Sequence, residues 1–131
     1  MLQRPKYNAN KTIIDWRKFD SRVEADYYLY LKSQWIDFEC QKRYILQDKF
    51  TCRWEKLQPI YYVSDFSYGN IVVDVKGLPT EWAKIKRKLF MYKYPELELK
   101  RLVKYKWNWV SYFDNEKRKR ENKKSKKWLA I

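Results

Sequence analysis

Two acids and a lysine around one predicted turn offer the clearest chemistry in this sequence. Gly69 and Asn70 separate two short segments rich in β-branched and aromatic residues, a pattern typical of a tight β-hairpin. Antiparallel pairing joins positions that are equidistant from the turn, and Asp65 and Asp74 are equidistant from it. We therefore expect these two carboxylates to face each other across adjacent strands.

The chemistry expected of this pair is metal binding. Carboxylates on directly opposed residues, with Cβ atoms about 4.5–5.5 Å apart, repel each other unless a cation lies between them. Oxygen ligands suit Mg²⁺ or Mn²⁺, which can polarise a phosphate and lower the pKa of an attacking water. Lys76 shares a strand face with Asp74 and could orient that water. The alternative is that Asp65 and Asp74 are only solvent-facing residues of a half-exposed hairpin.

The composition indicates the partner and excludes several chemistries. Thirty lysines and arginines against sixteen acids give a formal charge of +14, which makes nucleic acid the first candidate partner. The absence of histidine excludes His-ligated zinc, His-dependent triads and His-metal nucleases. No apolar run is long enough to span a membrane and no signal-peptide pattern opens the chain, so we expect a soluble, cytoplasmic protein without membrane contact.

The predicted elements follow the order α-β-β-β-α-β. A capping box from Ser21 to Glu24 starts a helix over about 22–33, and a second helix spans about 80–93 with an apolar stripe. The stripes expected to be buried are Val23, Tyr27, Tyr30 and Leu31 in the first helix, and Trp82, Ile85, Leu89 and Tyr92 in the second. Strands are predicted near 44–47, 60–63 and 96–103, with a short ribbon within 12–19. We expect an arm at 1–11, one domain at 12–104 and a basic aromatic extension at 105–131.

Basic residues on the second helix and in the extension are candidates for phosphate contact. Such contacts position a nucleic acid without reading its sequence. The alternative is an ordinary solvated surface, and Trp107 and Trp109 could either stack on bases or pack in the core. The candidate nucleic-acid-binding residues are Lys84, Arg87, Lys88, Lys117, Arg118, Lys119, Arg120, Lys123 and Lys124.

These patterns together resemble the PD-(D/E)xK nuclease superfamily, in which an acid on the second core strand precedes acid-x-Lys on the third. A closer resemblance is to small phage-encoded, Holliday-junction-resolvase-like proteins, and it covers about residues 8–100. The matching segments are FDSRVEA at 19–25, DF at 65–66, VDVKG at 73–77 and KRKLF at 86–90. Ser64 stands where the motif has proline, and Asp74 stands where glutamate is common.

The resemblance implies a fold, an activity and a site. The fold would be a restriction-endonuclease-like α/β (α+β) core, with a central mixed sheet flanked by helices. The activity would be Mg²⁺- or Mn²⁺-dependent cleavage of DNA, with branched DNA as substrate, by a homodimer working in phage recombination, replication or repair in the host cytoplasm. Asp65, Asp74 and Lys76 would be catalytic, joined by Glu24 as a further metal ligand and by the backbone carbonyl of Val75. The rival interpretations are a non-catalytic nucleic-acid-binding or virion-assembly protein and an RNA-directed protein.

Tryptophan stands at three turn-like positions where the resemblance expects glycine. These are Trp16, Trp35 and Trp54, and a positive φ at such positions would strain a bulky residue. One hypothesis is a reassigned codon that is read here as tryptophan. Mass spectrometry of the native protein would test it.

Overall fold

The computed structural model describes residues 12–75 and 79–129. The chain divides into two compact units, residues 1–37 and residues 38–131. The arm expected at residues 1–11 lies outside the described residues. Across the described part of the chain, the helices are all too short or too polar to cross a membrane.

The first unit contains a β-hairpin and a helix. The hairpin pairs β1 (Thr12–Ile14) with β2 (Arg17–Phe19), as predicted, and α1 (Arg22–Ser33) follows. The Ser21 hydroxyl accepts a hydrogen bond of 3.2 Å from the Glu24 amide, which confirms the predicted N-cap. Tyr27 and Leu31 are buried as expected, whereas the predicted Val23 and Tyr30 are exposed. The apolar face of α1 is therefore rotated relative to the predicted stripe.

The second unit is built on a five-stranded mixed sheet in the order β11-β10-β9-β8-β3. Strands β9 and β10 are parallel, whereas the other neighbours in this sheet are antiparallel. Two further pairs, β4 with β7 and β5 with β6, are antiparallel. The elements are β3 (Glu39–Cys40), β4 (Arg43–Gln47), β5 (Phe50–Cys52), β6 (Glu55–Leu57), β7 (Ile60–Val63), β8 (Phe66–Tyr68), β9 (Ile71–Asp74), α2 (Glu81–Lys93), β10 (Glu98–Tyr105), β11 (Asn108–Ser111) and α3 (Tyr112–Leu129). An α+β protein with a mixed central sheet is confirmed.

The hairpin predicted at Gly69 and Asn70 joins β8 to β9. Gly69 has a φ of 56°, a value that glycine adopts without steric cost. The pairs Phe66–Val73, Ser67–Val72 and Tyr68–Ile71 have the predicted register. The turn therefore brings the segments that carry the candidate acids side by side.

The core of the second unit forms around Phe90 of α2. The rings of Tyr44 on β4 and Tyr62 on β7 lie 5.1 and 5.2 Å from the Phe90 ring, and Val72 packs with them. The predicted stripe of α2 is wrong, because all four of its residues (Trp82, Ile85, Leu89 and Tyr92) are exposed. Aromatic packing against β4 and β7 selects the helix face that contains Phe90.

Three elements go beyond the sequence prediction. The hairpins β5–β6 and β10–β11 were not predicted, and β10–β11 crosses the domain boundary expected at residue 104. The basic aromatic extension expected at residues 105–131 contains β11 and the helix α3, which begins at Tyr112. The second unit therefore runs continuously from the sheet into the basic helix.

Candidate functional site

The two predicted acids lie at the same end of the β8–β9 hairpin, and both are buried. The regular ladder stops at Phe66–Val73, and the Asp65 amide donates to the Val73 carbonyl at 3.1 Å. The Asp65 Oδ2 atom accepts a hydrogen bond of 2.7 Å from the Val75 amide. The predicted direct opposition of Asp65 and Asp74 is therefore replaced by a shifted arrangement, in which the Asp65 carboxylate takes the backbone amide just past Asp74.

Arg101 is a site residue that sequence reasoning missed. It pairs with Asp74 in the parallel register of β9 and β10, and its Nη1 atom lies 3.2 Å from Asp74 Oδ2. Both side chains are buried. The signal available in the sequence was a lone arginine between Leu99 and Val103, in an alternating strand. A charge on an inward-facing strand position requires a partner, and Asp74 is that partner.

Tyr62 links the aromatic core to the acids. Burial raises the pKa of the Tyr62 hydroxyl well above its usual range, and the charges of Asp74 and Asp65 raise it further. The Tyr62 hydroxyl oxygen and Asp74 Oδ1 are both buried, and neither makes a hydrogen bond of regular geometry among the described residues. A hydrogen-bond interaction of Tyr62 with the Asp74 side chain also contributes to the raised pKa of Tyr62. Tyr62 is therefore a neutral phenol under the electrostatic influence of both carboxylates.

The remaining predicted site residues have different outcomes. Lys76 lies outside the described residues. Val75 is buried, and the role expected of its carbonyl stays a prediction. Glu24 is buried in the first unit near the start of α1, and its role as a metal ligand also stays a prediction. Within 12–75 and 79–129, no group of three or more His, Cys, Asp or Glu residues is placed to hold a metal.

Three of the nine predicted basic residues line a groove between the beginnings of α2 and α3. Lys84 of α2 lines it together with Lys117 and Arg120 of α3, and its volume is about 350 Å³. Tyr112 and Phe113 supply aromatic walls. The groove therefore combines three cations and two rings with one acid, Glu116, and its net positive charge suits a phosphate chain with unpaired bases.

The other predicted basic residues lie on the same two helices. The Arg87 guanidinium carbon lies 4.4 Å from the centre of the Phe113 ring, which connects α2 with α3. Arg118 lies over the Tyr105 ring at 3.5 Å, and Lys119 pairs with Glu116 at 3.1 Å. Lys88, Lys123 and Lys124 are exposed. Most of this set is therefore accessible to a polyanion.

The fold and these contacts define an α+β protein with buried acids at the end of a hairpin and a basic helix beyond the sheet. The chain belongs to a family described as a protein of unknown function, DUF1064, whose match covers residues 4–108. No curated protein and no solved structure matches it. The match includes the buried acids, whereas α3 follows it.

Proposed function

We propose that the chain is a Mg²⁺- or Mn²⁺-dependent endonuclease of the PD-(D/E)xK type that hydrolyses DNA phosphodiester bonds. The observation that carries the proposal is the buried Asp74 carboxylate, whose Oδ1 atom makes no hydrogen bond of regular geometry among the described residues. A buried acceptor left unsatisfied costs about 1–3 kcal/mol, and more when it is charged. A divalent cation would satisfy this oxygen, and the buried Asp65 carboxylate lies at the same end of the hairpin.

The available donors suit a hard cation. Asp65, Asp74 and the Val75 carbonyl offer oxygen atoms only, which is the donor type that Mg²⁺ and Mn²⁺ prefer. The bound ion would polarise the scissile phosphate and lower the pKa of a water. The family resemblance alone proposes Glu24 as a further metal ligand.

The surrounding residues hold the acids in place. Arg101 binds Asp74 Oδ2 and leaves Oδ1 as the atom for a cation. The Val75 amide holds Asp65 Oδ2, which fixes that carboxylate beside the end of β9. Tyr62 adds no negative charge, because burial keeps its phenol protonated. We assign Lys76, which follows Val75, to orienting the water that attacks phosphorus.

The basic helices support a nucleic-acid substrate. α3 carries eight lysines and arginines against three acids, and its groove with α2 adds Lys84. Contacts of this kind bind the phosphate backbone whatever the base sequence. Recognition of branched DNA by a homodimer, and a role in phage recombination, replication or repair in the cytoplasm, rest on the family resemblance.

A cleavage assay tests the proposal. The full-length chain is incubated with linear, single-stranded, flapped and four-way DNA in Mg²⁺, Mn²⁺ or chelator. We expect a metal-dependent product from at least one substrate, which is lost in Asp74→Asn and Asp65→Ala. Glu98→Gln removes an exposed acid from the neighbouring strand β10 and is the matched control. Absence of a product from every substrate in both metals would refute the proposal.

The second candidate function is non-catalytic nucleic-acid binding, including a role in virion assembly. The Asp74–Arg101 pair favours this second candidate, because Arg101 already neutralises Asp74 within the fold, so that the carboxylate needs no metal ion. In that case DNA binding would be indifferent to chelator and no product would form. An RNA partner is separated from DNA by competition between matched DNA and RNA strands, since backbone charge attracts both polymers.

A further inference from the structure

Four of the seven tryptophans combine a positive φ with nearly complete exposure. Trp16, Trp35, Trp54 and Trp107 have φ values from 56° to 69°, and their side chains are 90–100% exposed. A bulky residue at positive φ is a steric outlier, since Cβ approaches the backbone closely in that region. Full exposure means that no burial of the indole offsets this strain.

Three of the four occupy the second position of a two-residue hairpin turn. In each turn both central residues have positive φ, which is the pattern of a type I′ turn. The second position of such turns is most often occupied by glycine, as in Asn-Gly and Asp-Gly. The turns are Asp15–Trp16 between β1 and β2, Arg53–Trp54 between β5 and β6, and Lys106–Trp107 between β10 and β11.

The fourth, Trp35, ends α1 in a Schellman motif. Its amide donates to the Lys32 carbonyl at 3.1 Å, and the Ile36 amide donates to the Leu31 carbonyl at 3.3 Å. The residue at this position of the motif adopts a left-handed conformation and is usually glycine. Both kinds of turn therefore place tryptophan where the backbone favours glycine.

The composition agrees with this placement. The 131 residues include only two glycines but seven tryptophans, whereas an average glycine content of about 7% would give about nine glycines. Gly69, the first central residue of the β8–β9 turn, has a φ of 56° and shows that the chain uses glycine at a turn position with positive φ. Trp82, Trp109 and Trp128 lie within a helix or strand and are not among the positive-φ residues.

We infer that residues 16, 35, 54 and 107 are glycine in the protein made by its native host. At these positions the host translates as glycine a codon that appears as tryptophan in the sequence. The inference is independent of the nuclease proposal. Its functional consequence is that the hairpin tips present no indole rings for stacking on bases. Trp107 is thereby removed as a stacking candidate, and binding by the basic helices relies on charge and on the rings of the groove.

Two observations on native material test the inference directly. The gene is expected to carry one shared codon at these four positions, different from the standard tryptophan codon. Peptides that span the positions, from protein isolated from its native source, are expected to have the mass of glycine there. The standard tryptophan codon, or tryptophan in those peptides, would overturn the inference.

A stability measurement tests its physical basis on the recombinant chain. The variant with Trp16→Gly, Trp35→Gly, Trp54→Gly and Trp107→Gly is expected to unfold several degrees higher than the tryptophan form, because the strain is released without loss of packing. Trp109→Gly is the matched control in the half-buried strand β11, and it should lower the midpoint. A fourfold variant that unfolds at the same or a lower temperature would contradict the inference.

Discussion

Arg101 lies beside Asp74 on the neighbouring parallel strand, with Nη1 3.2 Å from Oδ2. Because the two residues are register partners, their side chains leave the sheet together and meet in a buried setting. The guanidinium compensates one carboxylate oxygen, while Oδ1 makes no hydrogen bond of regular geometry among the described residues. The pair therefore holds an acid in a buried place and leaves it able to bind a cation.

Asp74→Asn is expected to reduce metal-dependent DNA cleavage by more than about 100-fold. Loss of a partner behind a metal ligand already costs about 10–100-fold, so loss of the ligand charge itself should cost more. Initial cleavage rates in Mg²⁺ and Mn²⁺ measure the effect, and circular dichroism checks that the variant is folded. Glu98→Gln should retain the parent rate, and equal losses in both variants would argue against a specific role for Asp74.

Arg101→Met is expected to lower the free energy of unfolding by about 3–5 kcal/mol in chelator, because it leaves Asp74 buried without its cation. Denaturant titration measures this change. Lys100→Met on the same strand removes an exposed pair with Glu98 and should cost about 1 kcal/mol or less. Similar losses of unfolding free energy in the two variants would show that the buried Asp74–Arg101 pair stabilises the fold no more than the exposed pair does.

Mg²⁺ should restore part of the stability lost in Arg101→Met. The ion would replace the missing positive charge at Asp74, so the unfolding midpoint of the variant should rise more with Mg²⁺ than that of the parent chain. Thermal unfolding in a Mg²⁺ series measures the two shifts. Identical shifts in both proteins would place any bound ion away from Asp74.

The raised pKa of Tyr62 predicts that the folded protein loses stability at alkaline pH. Burial, with the Asp74 and Asp65 charges, raises the pKa of Tyr62 in the folded state above its unfolded value of about 10. The folded protein then binds more protons than the unfolded chain above that pH, so this contribution is complete below about pH 10 and is lost as pH rises further. The difference in unfolding free energy between the parent chain and Tyr62→Phe, followed from pH 8 to 11, measures it.

Tyr61→Phe removes a hydroxyl from the same strand and is the matched control for that series. If the parent chain and Tyr62→Phe lose stability in parallel above pH 10, Tyr62 does not carry the effect.

Lys117→Ala with Arg120→Ala is expected to weaken DNA binding about equally for all base sequences. Each lost phosphate contact should reduce the slope of log affinity against log salt by about 0.9. Fluorescence anisotropy over a salt series measures the slope. Lys49→Ala with Lys56→Ala removes the same charge from exposed positions near the β5–β6 hairpin, and it should leave the slope nearly unchanged. Equal effects would indicate attraction to net charge alone.

The features that could be predicted from the sequence depend on neighbours along the chain. Gly69 and Asn70 indicated the central hairpin and its register, since a turn with positive φ needs particular residues. The capping box at Ser21 marked the start of α1, and the Ser21 hydroxyl accepts a hydrogen bond from the Glu24 amide. Thr80 caps α2 in the same way, by accepting from the Ala83 amide. The order of the two acids around the hairpin was visible for the same reason.

Other features were hidden because the local signal was missing or misleading. The hairpins β5–β6 and β10–β11 turn at Trp54 and Trp107, and tryptophan by its residue type gives no turn signal, although the family resemblance marked position 54 as turn-like. The α2 stripe had helical spacing, yet Phe90 is the buried residue, since it fits between the rings of Tyr44 and Tyr62. Periodicity cannot reveal which helix face meets such rings.

By itself, the sequence determined the helix starts, the β8–β9 turn and the two acids that flank it, because these depend on short-range sterics and hydrogen bonding. Only the tertiary structure decided that Arg101 pairs with Asp74, that Tyr62 lies under the influence of both acids, and that Lys84 shares a groove with α3. Each of these relationships joins segments that are distant in the sequence. They depend on strand register and core packing, and local sequence patterns do not encode either.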